Sequence, residues 1–362
     1  MWILVINPGG GSTKVAVFNG AKPLFSETVE HAPNQLVRFG HVLDQYELRK
    51  SAVLSVLDRH AFDRAKLQTI ATRGGPLRPL PGGVYRITPH VAADIRHGQY
   101  QTLHPALLGP LIGLELSQEL GIPAYFVDPE STDEFRDIAR ISGFSGIPRI
   151  ALSHALSCRA VAEAAARKLK KPYKKCRLVV AHLGTGITVA VHVGGRQVDA
   201  TNANDDGPFS PQRSGSLPLS GLVHACYSGN YSEKAILNLL TQRGGLISYL
   251  GTDDIRKVET AITENNKSAE LVYRALVYQV AKEIGAYVVA CEGGPDAVVL
   301  TGGLTLSEKF VANLKKWLAP LDLKIIVFPG EEEMTAMANR LLAVLTGKEK
   351  ERNYDKETAL RG

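Results

Sequence analysis

A β-strand, a glycine turn and a second strand, in that order, occur twice in this chain. The first copy runs from Ile3-Leu4-Val5-Ile6 through Asn7-Pro8-Gly9-Gly10-Gly11-Ser12-Thr13 and out along Lys14-Val15-Ala16-Val17-Phe18 to the turn Asn19-Gly20. The second runs from Leu178-Val179-Val180-Ala181-His182-Leu183 through Gly184-Thr185-Gly186 and out along Ile187-Thr188-Val189-Ala190-Val191-His192-Val193. Short β-branched runs bounded by glycine read as strands, and the strand that follows each turn makes the unit a hairpin. That order excludes two common phosphate motifs, because Walker A and dinucleotide loops both lead into a helix. The first loop also lacks Gly-Lys-Ser/Thr and a third spaced glycine. A glycine hairpin still presents backbone N–H groups to a phosphate with no side chain in the way. Two copies predict a duplicated α/β chain, each half opening on such a hairpin.

A third glycine site has a different form. The buried strand Asp296-Ala297-Val298-Val299-Leu300 ends at Thr301-Gly302-Gly303, and Ser307 is placed to cap a helix through Lys315. Small residues at this strand-to-helix junction let a flat ring or a phosphate approach closely. Amphipathic helices are predicted over residues 155–169 and 269–291. The charged tail from Gly347 to Gly362 reads as frayed or disordered.

At 362 residues, with 44% hydrophobic and 22% charged residues, the chain has the length for two domains and the composition of a globular protein. Cys158, Cys176, Cys226 and Cys291 are widely spaced and form neither a disulfide framework nor a metal-ligand pattern, which suits a reducing, cytoplasmic setting. The apolar start is too short for a signal peptide and has no basic residue ahead of it. The apolar stretch 271–291 carries Arg274, Gln279, Lys282 and Glu283, so it reads as a core helix and no membrane partner is expected. Net charge is +6, and the densest basic run is Arg167-Lys168-Leu169-Lys170-Lys171. Tyr173 is the one aromatic residue near it, so it reads as a solvated helix end and not as a nucleic-acid patch.

Several segments together resemble the acetate and butyrate kinase family, within the actin, Hsp70 and sugar kinase superfamily. They include Val5-Ile6-Asn7-Pro8-Gly9, Arg73-Gly74-Gly75, Val127-Asp128-Pro129, Ala181-His182-Leu183-Gly184, Gly207-Pro208-Phe209-Ser210-Pro211-Gln212-Arg213, Leu300-Thr301-Gly302-Gly303 and Pro329-Gly330-Glu331-Glu332-Glu333-Met334. The resemblance implies two duplicated actin-like (ribonuclease H-like) α/β domains with an active-site cleft between them. They would span 1–149, with a returning C-terminal helix in 339–362, and 150–338, which would hold the adenosine. It implies ATP/ADP and Mg²⁺ as cofactors, a short-chain carboxylate as substrate, and a homodimer or higher homo-oligomer.

The resemblance also assigns roles. Arg73 would bind the substrate carboxylate, and Asp128 would orient groups at the transferring phosphoryl. His154 and Arg213 would stabilise the transition state. Asn7, with Ser12 and Lys14, would hold the Mg²⁺–phosphate assembly, and His182, Gly184 and Gly186 would face the nucleotide. Gly302 and Gly303 would line the adenosine pocket. Glu332, or a neighbour in the Glu331–Glu333 run, would contact the metal.

The chemistry suits these residue types. A carboxylate with a pKa near ~4–5 is already an anion at neutral pH and needs no general base. The barrier is charge against charge, so catalysis rests on positioning and electrostatic stabilisation, for which arginine's planar, permanently charged fork is suited. Taken singly, Arg73 or Arg213 reads as a surface ion pair, His154 as a structural donor, Asp128 as a turn former before Pro129, and the three glutamates as a solvated face. Gly10, Gly11, Leu107 and Thr185 depart from the family pattern, which leaves acetate, propionate and isobutyrate beside butyrate as acceptors. A non-catalytic nucleotide sensor is the rival from another class.

Overall fold

The computed structural model describes residues 1–359, folded as two compact units. One comprises Met1–Asp133 and the chain from Glu332 onward; the other is Glu134–Glu331. The divides thus fall at 133/134 and 331/332, against 149/150 and 338/339 read from the sequence.

The first unit is built on six strands: β1 (Trp2–Pro8), β2 (Ser12–Asn19), β3 (Lys22–Glu30), β4 (Thr69–Arg73), β5 (Val84–Arg86) and β6 (Ala124–Val127), in the order β3-β2-β1-β4-β6-β5. β1, β2 and β3 form an antiparallel meander, β1, β4 and β6 run parallel, and β5 closes the edge antiparallel. Ile3 to Ile6 are fully buried, as expected of a strand covered on both faces. Helix Leu108–Leu120 approaches β4 closely through two glycines. A Cβ on Gly109 would lie 2.7 Å from the Arg73 carbonyl, and one on Gly113 would lie 2.9 Å from Thr72 Cγ2.

The second unit has five strands: β7 (Arg177–Leu183), β8 (Ile187–Val193), β9 (Arg196–Ala200), β10 (Ala297–Thr301) and β11 (Ile325–Val327), in the order β11-β10-β7-β8-β9. β7, β8 and β9 are an antiparallel meander, and β7, β10 and β11 are parallel. Read from the meander inward, the order 9-8-7-10-11 repeats the 3-2-1-4-6 of the first unit. The duplication predicted from two hairpins therefore extends to both sheets. Alternate β7 residues enter opposite layers. Val179 and Ala181 pack with Leu276, Val280 and Ile284 of helix Lys267–Ala290, whereas Leu178 and Val180 pack with Cys158 and Ala162 of helix Ala155–Lys168.

Local signals explain the element ends. Ser307 caps helix Glu308–Leu318 by accepting from Phe310 N at 3.0 Å, and Gly121 ends helix Leu108–Leu120 in the left-handed region. The basic run lies at a helix end and the loop beyond it, with Lys171 paired to Asp296 at 2.8 Å.

The tail departs from expectation. Residues Tyr354–Ala359 form a helix, Tyr354 is 1% exposed, and its hydroxyl donates to Asp94 at 2.8 Å. Charge alone misled here, because the tail carries one large aromatic anchor. The returning segment begins with helix Glu333–Leu345, whose Met337 and Leu341 are fully buried; the part of the tail reading at 360–362 lies outside the described residues. Among the described residues no helix is long and apolar enough to cross a membrane.

Candidate active site

In the first unit the candidate side chains Asn7, Arg73 and Asp128 lie at or just past the C-terminal ends of β1, β4 and β6. The β1–β2 register pairs Asn7 with Lys14 and Pro8 with Thr13, and Gly9 N donates to Ser12 O at 2.8 Å to close the turn. Ser12 and Lys14 are half-buried, while Gly10 and Gly11 are exposed, with open space where a Cβ would stand. Asn7 is 3% exposed; its Nδ2 donates to Glu333 Oε2 at 2.7 Å, and its buried Oδ1 has no partner. Arg73 ends β4, bonds to Glu130, and lies 3.5 Å from the same Glu333 oxygen. Asn7 and Arg73 thus share the Glu333 carboxylate.

This arrangement singles out one of the three glutamates. Glu333 opens a helix and is buried, whereas Glu332 is exposed and Glu331 belongs to the other unit. Glu333, not Glu332, is the carboxylate beside Asn7.

Asp128 is held differently. It is 2% exposed with φ +36°, a left-handed conformation that costs a non-glycine residue about 1–3 kcal/mol. Its Oδ2 accepts from Arg340 Nε at 3.0 Å and its Oδ1 from Arg340 Nη2 at 3.4 Å, while its backbone N donates to Gly83 O at 2.8 Å. Removing one partner of so buried a pair would strand the other charge, so Arg340 fixes where this carboxylate sits. Arg340 was not singled out from the sequence. The available signal was its place two helical turns after Glu333, on the same face.

In the second unit His154 precedes helix Ala155–Lys168, and its Nδ1 lies 2.8 Å from Thr188 Oγ1 on β8. Its ring stacks on His182, with centroids 4.2 Å apart and planes 19° from parallel. His182 is 2% exposed; its Nε2 lies 3.3 Å from Glu331 Oε1, and its buried Nδ1 has no partner. Gly184 fits between them, since a Cβ there would lie 2.9 Å from His182 Nε2 and 3.1 Å from Glu331 Oε1.

Arg213 lies over the second hairpin. A Cβ on Gly186 would stand 2.6 Å from the Arg213 Cζ, so only glycine admits the guanidinium there. The segment carrying Arg213 is tied to the turn by Ser210, which is fully buried. Its Oγ donates to Thr185 O at 2.5 Å and accepts from Arg213 N at 3.0 Å. Gly245, at φ +56°, passes so close that a Cβ would come within 1.7 Å of Ser210 O. Gly302, at φ +96°, abuts the Leu183 backbone, while Gly303 is exposed with open space beside it. Ser210 stood inside a quoted motif, but no sequence signal gave its bridging role or the need for Gly245.

Two meander-plus-parallel sheets of one order, each opening on a glycine hairpin, define a duplicated actin-like α/β protein. The chain belongs to the acetokinase family, whose profile matches residues 145–334. It is 42% identical over 356 residues to a probable butyrate kinase of Listeria monocytogenes serovar 1/2a, covering 97% of this chain and 99% of that one. Among solved structures it resembles Porphyromonas gingivalis acetate kinase (TM-score 0.74, 19% identity, 95% of this chain and 99% of that one). It also resembles a propionate kinase from Francisella tularensis (TM-score 0.73, 19% identity, 94% and 98%). At these identities the structural likenesses speak for the fold alone.

Proposed function

We propose that this chain transfers the γ-phosphoryl group of ATP, reversibly, to the carboxylate of a short-chain fatty acid, with butyrate the acceptor. The observation that carries the reading is Arg213 lying over Gly186, a permanent cation held against the glycine face of the second hairpin. The name of the relative at 42% identity favours butyrate over acetate, propionate or isobutyrate.

In this reaction one acid oxygen bonds to the γ-phosphorus, the bond from that phosphorus to the bridging oxygen breaks, and ADP leaves with the electron pair. The attacking carboxylate is already ionised, so no base is required. This agrees with Asp128 being engaged by Arg340, which suits it to shaping the site and not to moving a proton. Arg73 receives the acid, exchanging contact with Glu130 or Glu333 for the substrate carboxylate. His154, Arg213 and the glycine hairpins face the phosphates, and Gly302 and Gly303 give room for adenosine.

Mg²⁺ fits the first unit. The unpartnered, buried Oδ1 of Asn7 is a hard oxygen ligand beside the Glu333 carboxylate. Among the described residues no three acidic, histidine or cysteine side chains cluster to cage a metal. A sparse donor set is what Mg²⁺ uses when phosphates and water complete its shell. Asn7 and Glu333 would hold it, and the ion would neutralise phosphate charge.

The test is hydroxamate trapping of acyl phosphate formed from ATP and a series of two- to six-carbon acids. Turnover peaking at four carbons is expected; a peak at acetate would overturn the butyrate assignment. No product from any acid, in folded protein, would favour the nucleotide sensor instead.

A further inference from the structure

Beneath the first glycine turn lies a buried cation that the reading above does not use. Arg49, on helix Tyr46–Arg59, is fully buried, and among the described residues no carboxylate lies within ion-pair distance of it. Buried charges are ordinarily paired, because desolvating an ion costs several kcal/mol. The hydrogen-bond acceptors around this one are neutral oxygens. Nη1 donates to Ser12 O at 2.9 Å and Thr13 Oγ1 at 3.3 Å, and Nη2 donates to Gly10 O at 3.2 Å. Nε and Nη2 both donate to Gln45 Oε1, at 3.0 and 2.9 Å. Burial lowers its pKa to about 10, so it stays protonated at neutral pH.

The same contacts set the direction of the turn. In a trans peptide the C=O and N–H point opposite ways. With the Gly10 carbonyl turned to Arg49, the Gly11 N–H is directed away from it. Gly11 O accepts from His31 N at 2.8 Å, which turns the Ser12 N–H away from β3. His31 Nε2 lies 2.8 Å from Thr13 Oγ1, and burial together with Arg49 lowers its pKa, so it adds no second charge. The inner side of the turn is thus clamped, and the outer side, at Gly10 and Gly11, is open.

We propose that Arg49 is a positioning residue for the nucleotide polyphosphate, aiming the turn's N–H groups outward and placing an uncompensated positive charge behind them. The anion on the outer face is the counter-charge that the buried guanidinium otherwise lacks. This rests on the kinase reading for the identity of the anion, but its test does not require turnover.

Arg49→Met and Arg49→Lys are compared with the wild type in KM for ATP, KM for the acid, ligand-free Tm, and the Tm shift produced by pyrophosphate. Arg49→Met should raise the ATP KM about tenfold or more, the scale of one hydrogen bond to a charged group, and abolish the pyrophosphate shift. The acid KM should stay within about twofold. Arg49→Lys keeps the charge but loses the fork, so a rise of about threefold in the ATP KM is expected. Unchanged ATP KM and pyrophosphate shift in folded Arg49→Met would overturn the proposal, as would a parallel rise in both KM values or a wild type that pyrophosphate does not stabilise. Should Arg49→Met not fold, Arg49→Lys decides, since an unchanged ratio of the two KM values refutes the role. If the wild type phosphorylates no acid, the kinase reading falls separately and the pyrophosphate shift still judges Arg49.

Discussion

The two glycine hairpins occupy equivalent places in equivalent sheets, yet they are supported in opposite ways. The turn at Gly9–Ser12 has its cation behind it, with Arg49 gripping the carbonyls from the core and nothing within 4 Å of a Cβ on Gly10 or Gly11. The turn at Gly184–Gly186 is backed by a neutral hydroxyl, Ser210, and has its cation on the glycine face, where Arg213 lies against Gly186. Duplication supplied one backbone solution, a glycine hairpin, and on the proposed reading the two copies divide the electrostatic work. A guanidinium behind the turn acts on whatever anion sits there. On the same reading, one beside the turn would touch the group being transferred.

That division can be broken at chosen points. Arg213→Ala removes the cation that can follow the reacting group, so kcat should fall about 10²–10³-fold, equivalent to ~3–4 kcal/mol, with ATP KM changing far less; steady-state kinetics read this. Gly302→Ala sets a Cβ 2.5 Å from Leu183 backbone atoms at a residue with φ +96°, and should cost the second unit about 3 kcal/mol in urea unfolding. Arg73→Ala should raise the acid KM about 10–100-fold, the worth of ~1.5–3 kcal/mol, and leave the ATP KM near wild type. An equal rise in both would remove Arg73 from acid binding. Ser210→Ala strips the neutral support from the second turn at about 1–2 kcal/mol of stability. It should lower kcat with it, because the Arg213 backbone loses its tether.

Much of this was legible in the sequence, and the parts that were not share a physical cause. The hairpins, the strand ending at Thr301 and the helices near 155–168 and 267–290 follow from local composition and period, which act over a few residues. Asn7, Arg73, His182, Gly186 and Arg213 were reachable because they stand in or beside the segments that carry the family resemblance; taken singly, the arginines read as surface ion pairs. Arg49 and Arg340 were not, because each lies on an otherwise ordinary amphipathic helix and has partners far away in sequence. An arginine there reads as solvated until the fold buries it. Glu333 could not be separated from Glu332 and Glu331, since three adjacent glutamates are equivalent until a helix start rotates one inward.

The pair between Asp128 and Arg340 bears on how the chain is made. Asn7, Arg73 and Asp128 leave the ribosome before the second unit is made, but Glu333 and Arg340 are synthesised after it. The second unit, a single uninterrupted stretch, can close before them. The first must wait with a left-handed aspartate and a buried asparagine unanswered, so its charge network is completed only after the whole second unit has been synthesised. A chain ended at Glu331 should therefore keep a protease-resistant second unit while the first is digested, and equal resistance of both would contradict this order of assembly.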